Sequence, residues 1–481
     1  MKLRDEILSA GRWTTSSTIF RVMLQYAQTM ILARILTPSD FGHMAIIAAL
    51  IAIVGIIADF GISNALIHFQ TPNSDILSSL YWINIIISFL LTILFIFVAN
   101  PITSFYGAPE LYTPLLLVSA IFPISAVGNQ FKVLAEKELR FIGLIWIEVF
   151  SALCGFLITI ILAINHYGIY SLIAAILTST SIKSLLFFIF LSTKYRIKLK
   201  LNLYGLRKYF RYGAYKLGET FISTLINQSD IFLGGYFAGA SNIGLYSTPR
   251  DQNLTIANSF VNPIATRISM PAMAKVQRDQ KSLKNIYLTT LRMTSSINFP
   301  IYTFICFFAA EIIAILLGPQ WKEANFYMTI FAVWGGIRSV GNPTGSLLYS
   351  TGNVHRAFWW NIALLVTTFT ILFFSVSQYG LKGLSIGMLA IQLVIFIPVW
   401  RYLVYPTCGA KLNEYLAQLL PPLIIASVSG LIAWRLSNYL NFKNCFLTLC
   451  FASVIFTTIY IFLSIKFNRL WFLTMKKFLS L

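Results

Sequence analysis

ILSSLYWINIIISFLLTILFIFVA, residues 76–99, holds neither a charged side chain nor a proline. As an α-helix rising about 1.5 Å per residue, it spans the roughly 30 Å hydrocarbon core of a bilayer. A helix on a water-soluble globule needs a charged or strongly polar face, and this one has none. It therefore reads as a membrane span.

The rest of the chain agrees. Of 481 residues, 57% are hydrophobic and 11% charged, less than half the roughly 25% of a soluble domain. That composition excludes a cytosolic enzyme, a secreted disulfide scaffold and a disordered tail. The net charge of +20 fits basic loops on anionic headgroups better than nucleic acid. The five cysteines include no CxxC, and neither HExxH nor a Cys/His cluster is present, so no metal site or other cofactor is expected. Residues 1–13 are polar and lead into an apolar segment without a small-residue cleavage pattern, unlike a removable signal peptide.

Similar segments give fourteen expected spans: 14–36, 41–68, 76–99, 111–131, 142–164, 168–192, 212–237, 247–270, 287–317, 325–349, 357–377, 383–403, 415–436 and 444–465. Charge tests the count, because cytoplasmic segments collect Lys and Arg. With both termini cytoplasmic, the inner segments hold 25 basic residues, including Lys132, Lys137 and Arg140, and the outer ones five. Six lie inside spans: Arg21, Lys183, Lys216, Arg250, Arg267 and Arg338.

The chain repeats itself. Val127-Gly128-Asn129 returns as Val340-Gly341-Asn342, Tyr167-Gly168 as Tyr379-Gly380, and Phe41-Gly42 is matched by Ile243-Gly244. The expected architecture is an all-α integral membrane protein with two six-helix lobes related by a pseudo-twofold axis along the membrane normal. Residues 1–192 form the first lobe and 212–403 the second. A basic cytoplasmic linker, 193–211, joins them, and 404–481 adds a helix pair and a basic tail.

Ionisable groups inside a bilayer cost several kcal/mol, of order 3, unless they face protein or water, so they mark function. Arg21, Gln25 and Gln28 share one face of the first span, and Lys216, Asn227 and Asp230 form a stripe on the seventh with Glu219 beside it. Asp251 opens a polar stripe on the eighth, Arg338 and Asn342 lie on the tenth, and Asp59 is on the second. Arg21 and Arg338 fall nearest the midplane. A guanidinium presents a rigid fork of donors to phosphate oxygens, so a cavity centred on arginine suits an anionic head such as a pyrophosphate. The candidate binding residues are Arg21, Gln25, Gln28, Lys216, Asn227, Arg267, Arg338 and Asn342. Asp59, Glu219, Asp230 and Asp251 are candidates for coupling to Na+ or H+, and the membrane potential is a further candidate driving force.

Several stretches resemble bacterial polysaccharide flippases of the multidrug/oligosaccharidyl-lipid/polysaccharide exporter superfamily, in their colanic-acid-exporter (Wzx-type) branch. They include Leu32–Leu36, Phe41-Gly42, Ala58–Asn64, Leu80–Asn84, Asn262–Ile264, Thr266–Ile268, Ile297–Pro300 and Arg338–Leu348. Similarity runs from about Ser9 to about Trp400. Arg267 and Arg338 lie in matched stretches, whereas Arg21 and Lys216 do not. The resemblance implies a bacterial inner-membrane protein that flips an undecaprenyl-pyrophosphate-linked oligosaccharide outward by alternating access, for lipopolysaccharide or exopolysaccharide assembly. It would work with a polymerase and a chain-length regulator. It implies no catalytic motif, and so no enzyme. Two rivals share the hydropathy. A cation-coupled multidrug antiporter would centre its cavity on acids and aromatics. A membrane-embedded ligase or polymerase would need a large outer loop, and the outer loops here are short.

Overall fold

A computed structural model of the chain describes residues 2–69, 73–138, 140–195, 197–199, 202, 206–257, 269–440, 442, 444–468 and 471, with side chains from Ser17 onward except Tyr215. Every regular element among the described residues is helical. The first helices are α1 (Lys2–Ile35), α2 (Pro38–Asp59), α3 (Ile62–His68), α4 (Ser74–Tyr106), α5 (Tyr112–Ser119), α6 (Ile121–Lys137), α7 (Phe141–Ile164), α8 (Ile169–Ser192), α9 (Arg207–Ala238) and α10 (Ile243–Ile256). Beyond them run α11 (Met270–Lys275), α12 (Gln280–Phe307), α13 (Ala309–Leu316), α14 (Ala324–Val340), α15 (Asn342–Ser350), α16 (Val354–Pro398), α17 (Tyr405–Cys408), α18 (Leu412–Leu440) and α19 (Cys445–Phe467).

Contacts divide the chain into two compact units, residues 1–244 and 245–481. In the first, α7 packs along α8, α6 against α8, α1 against α7 and α2 against α9. In the second, α12 packs against α14 and α18, and α18 against α19. Its core gathers Tyr287, Phe299, Phe308, Tyr415 and Phe456. Outward faces are apolar in both: Phe97 is 75% exposed and Phe462 69%, a surface that only lipid tolerates. Among the described residues, eight helices, or nine with one bent pair counted as a span, are long and apolar enough to cross a membrane. The chain is a multi-pass membrane protein.

Local chemistry sets where helices begin and end. Thr37 and Asp40 form a capping box at the start of α2, with Pro38 in its first turn. Segment 41–68, expected as one helix, is broken at Phe60 (φ 46°) and Gly61 (φ 68°). The Lys137 ammonium then donates to the carbonyls of Leu66 (2.8 Å) and Phe69 (2.6 Å), closing α3. Segment 287–317 is likewise bent, by 81° between α12 and α13. Segment 325–349 divides at Gly341, where α14 ends and α15 begins. The repeat shows locally: Gly168 (φ 54°, ψ −131°) joins α7 to α8, and Gly380 takes the same conformation (φ 58°, ψ −148°) inside α16. Gly380 thereby splits α16 into the two spans read from sequence.

Candidate functional site

Arg21 on α1 donates from a terminal nitrogen to Glu148 Oε2 on α7 at 2.7 Å. The other oxygen of that carboxylate lies 3.0 Å from Lys132 Nζ on α6. Lys183 on α8 shares the electrostatic surroundings of Lys132, Glu148 and Arg21. Three helices of the first unit thus bring two cations to one carboxylate, with Lys183 of α8 in the neighbourhood. Glu136, one turn from Lys132 and 3.7 Å from its ammonium, is the outlying second acid, so the cluster keeps a net positive charge. The side chain of Arg21 is 41% exposed and that of Glu148 17%, so the guanidinium remains reachable from outside the packed helices.

Reading the sequence alone missed part of this group. Lys132 counted as a residue of an inner loop, yet it lies inside α6. The Lys132/Glu136 pair at i, i+4 was the available signal, because it marks a helix face rather than a loop. Gln25 and Gln28 continue the Arg21 face; Gln25 is exposed and Gln28 half-buried.

A second polar locus lies between α2, α3 and α9, where a cavity of about 300 Å³ is lined by Asp59, Asn64, Lys216 and Thr220 among apolar neighbours. Ser63 Oγ donates to Asp59, and Asn129 Nδ2 on α6 reaches both Asp59 Oδ1 and Ser63 Oγ at 3.2 Å. Asn129 belongs to the first copy of the repeated Val-Gly-Asn, and this contact gives that motif a purpose. Lys216 Nζ pairs with Glu219 Oε2 at 2.9 Å. Higher on α9, Asn227 is half-buried and Asp230 fully buried.

In the second unit, Arg338 lies over the Trp334 ring, 5.0 Å from its centroid, a stacking that suits a guanidinium. It sits in the last turn of α14, and Asn342 opens α15 across the Gly341 break. Asp251 is exposed and pairs with the buried Arg250 at 2.8 Å. Asn298, wholly buried on α12, has both side-chain polar atoms without a hydrogen-bond partner among the described residues. Arg267 and the motif around it, 262–268, lie outside the described residues. No group of three or more His, Cys, Asp or Glu able to hold a metal occurs among the described residues.

Three bent or broken spans, buried polar stripes and a lipid-facing exterior define a transporter-type helical membrane protein. A solved structure of the lipid II flippase MurJ, in an inward closed conformation, has the same fold: TM-score 0.74 over 94% of this chain and 98% of that one, at 14% identity. The family described as "Polysaccharide biosynthesis protein" matches residues 31–325, and the chain belongs to it. The lipopolysaccharide biosynthesis protein WzxC of Escherichia coli K12 is 26% identical over 90% of this chain and 89% of its own length. The teichuronic acid biosynthesis protein TuaB of Bacillus subtilis 168 is 28% identical over 90% of each. These bear out the resemblance read from segments such as Arg338–Leu348.

Proposed function

We propose that the chain carries a lipid-linked oligosaccharide across the bacterial inner membrane, with both termini cytoplasmic, for surface polysaccharide assembly. The reading rests on the cluster of Arg21, Lys132 and Lys183 around Glu148. A diphosphate head cannot enter hydrocarbon without partners. Glu148 pairs with Arg21 and Lys132. An incoming pyrophosphate takes the place of that carboxylate on Arg21, whose fork fits its oxygens. Gln25 and Gln28, on the same helix face, offer donors and acceptors to sugar hydroxyls. The polyprenyl tail stays in lipid, since each buried CH₂ holds it by about 0.8 kcal/mol.

The cycle is alternating access between lobes 1–192 and 212–403, and Arg338, Asn342 and Arg267 are the second lobe's own candidate binding residues. An inside-negative potential favours outward movement of an anion by roughly 2.3 kcal/mol per charge per 100 mV. Asp59, held by Ser63 and Asn129 beside the 300 Å³ cavity, is the first candidate for a coupled Na+ or H+. Glu219, Asp230 and Asp251 follow it. A polymerase and a chain-length regulator would take the exported unit onward.

The test is complementation of cells lacking their own exporter, read as surface glycan and as lipid-linked intermediate accumulating inside. Arg21→Ala combined with Lys132→Ala and Lys183→Ala should abolish surface glycan at unchanged membrane abundance. Full export from that triple variant would overturn the reading.

A further inference from the structure

A second basic feature lies apart from the Arg21 cluster. Where α6 ends, α7 begins and α8 ends, a cleft of about 620 Å³ opens in the first unit. Its walls are apolar and include Ile142, Trp146 and Phe190, which are 48%, 59% and 65% exposed. Among the described residues, Arg140 is the one charged residue of its lining. Lys194 is close by, because it shares the Glu138 carboxylate with Arg140, whose Nε is 3.2 Å from Oε2. Two cations thus divide one acid, leaving one positive charge over. Lys137 does not add to the cleft, its ammonium being turned to the carbonyls of Leu66 and Phe69.

We propose that this cleft is a binding site for an anionic phospholipid of the surrounding bilayer. The headgroup phosphate sits between Arg140 and Lys194, and an acyl chain runs along Trp146 and Phe190. Charge decides the occupant. A zwitterionic lipid leaves the excess cation uncompensated, whereas an anionic one neutralises it, and basic clefts between helices at the headgroup level recognise acidic lipids on this principle. Trp146 marks that level, since tryptophan concentrates at the membrane–water boundary. Lys194 itself belongs to the basic segment 193–211. Gly143, in the first turn of α7, lets a ligand approach closely: a Cβ there would meet nothing within 4 Å.

That open space supplies a test independent of charge. The full-length chain is purified, returned to nanodiscs of phosphatidylglycerol and phosphatidylethanolamine, and released for native mass spectrometry of retained lipid. Wild type should retain phosphatidylglycerol over phosphatidylethanolamine by about fivefold, as expected when one uncompensated positive charge acts near a membrane surface. Gly143→Leu fills the cleft without striking protein and should remove the preference. Arg140→Gln with Lys194→Gln should remove it too, with both variants keeping the wild-type elution profile. Equal retention of the two lipids by wild type would overturn the proposal. So would a preference that survives Gly143→Leu, or a lipid-linked glycan held in place of phospholipid. The Arg21 cluster takes no part in this experiment, so its failure leaves the export reading standing.

Discussion

Gly42 and Gly244, paired by the internal repeat, meet backbone to backbone in the first unit. A Cβ on Gly42 would lie 2.9 Å from the Gly244 nitrogen and 2.5 Å from the Ala240 carbonyl. A Cβ on Gly244 would lie 1.8 Å from the Pro38 carbonyl. No side chain can shift to relieve this, because every clash is with backbone. Gly244→Ala should therefore push α2 from its neighbour and cost about 1–3 kcal/mol, the usual scale of overpacking. Gly218→Ala, at a helical glycine with nothing within 4 Å, should be neutral or slightly stabilising. Thermal unfolding of the detergent-purified variants reads both, and equal melting temperatures would refute the contact.

The carboxylate of Glu148 is shared between Arg21 and Lys132. Replacing it by Gln leaves three cations together with only Glu136 near. Glu148→Gln should lower stability more than Arg21→Gln, which removes a cation from a positive cluster. Because Arg21 is 41% exposed, the Arg21–Glu148 coupling in a double-mutant cycle should be only about 1 kcal/mol. Additive single variants would argue that the two do not interact.

Asn129 donates to both Asp59 and Ser63. Asn129→Ala should leave the Asp59 carboxylate short of one donor and reduce glycan export several-fold without clearing the protein from the membrane. Asn129→Ser, which keeps a donor, should be milder. Surface glycan measured beside membrane abundance separates the two variants, and identical export from both would sink the assignment.

Asp279 caps α12 outside the membrane, accepting from the backbone nitrogens of Lys281 (3.1 Å) and Ser282 (3.3 Å). Together with the Ser282 hydroxyl, these donors hold its carboxyl below the ordinary Asp range. A depressed carboxylate stabilises the fold above its unfolded pKa of about 3.9 and loses that contribution as pH falls through its lower folded value. Wild type should lose stability below about pH 4 more steeply than Asp279→Asn, which keeps a cap but cannot titrate. Parallel melting curves for the two across that range would exclude this cap as a source of acid sensitivity.

Apolar runs such as 76–99 and 142–164 were plain in the sequence, because a bilayer demands uninterrupted hydrophobicity and little else imitates it. The helices that escape that reading are the polar or short ones: α1 and α9 are not among those apolar enough to cross a membrane, and α10, α14 and α15 are each shorter than a full span. These carry Arg21, Lys216, Asp251 and Arg338, so the features that marked them as functional also blurred their boundaries. The break at Phe60–Gly61 was hidden because hydropathy is blind to backbone conformation. The meeting of Arg21, Lys132, Lys183 and Glu148 was hidden because partners up to 127 positions apart carry no local spacing to read. Asn129, by contrast, was visible as half of a repeated tripeptide, though not its bond to Asp59.

Gly168 and Gly380 both run at positive φ and strongly negative ψ, the mirror image of extended polyproline geometry. For one residue in each half, the chain travels as its own reflection. An L-alanine there costs of order 1–3 kcal/mol, yet a D-alanine introduced by chemical ligation would sit at ease. Handedness, rather than oiliness or charge, is what the duplicated Tyr-Gly junction preserves.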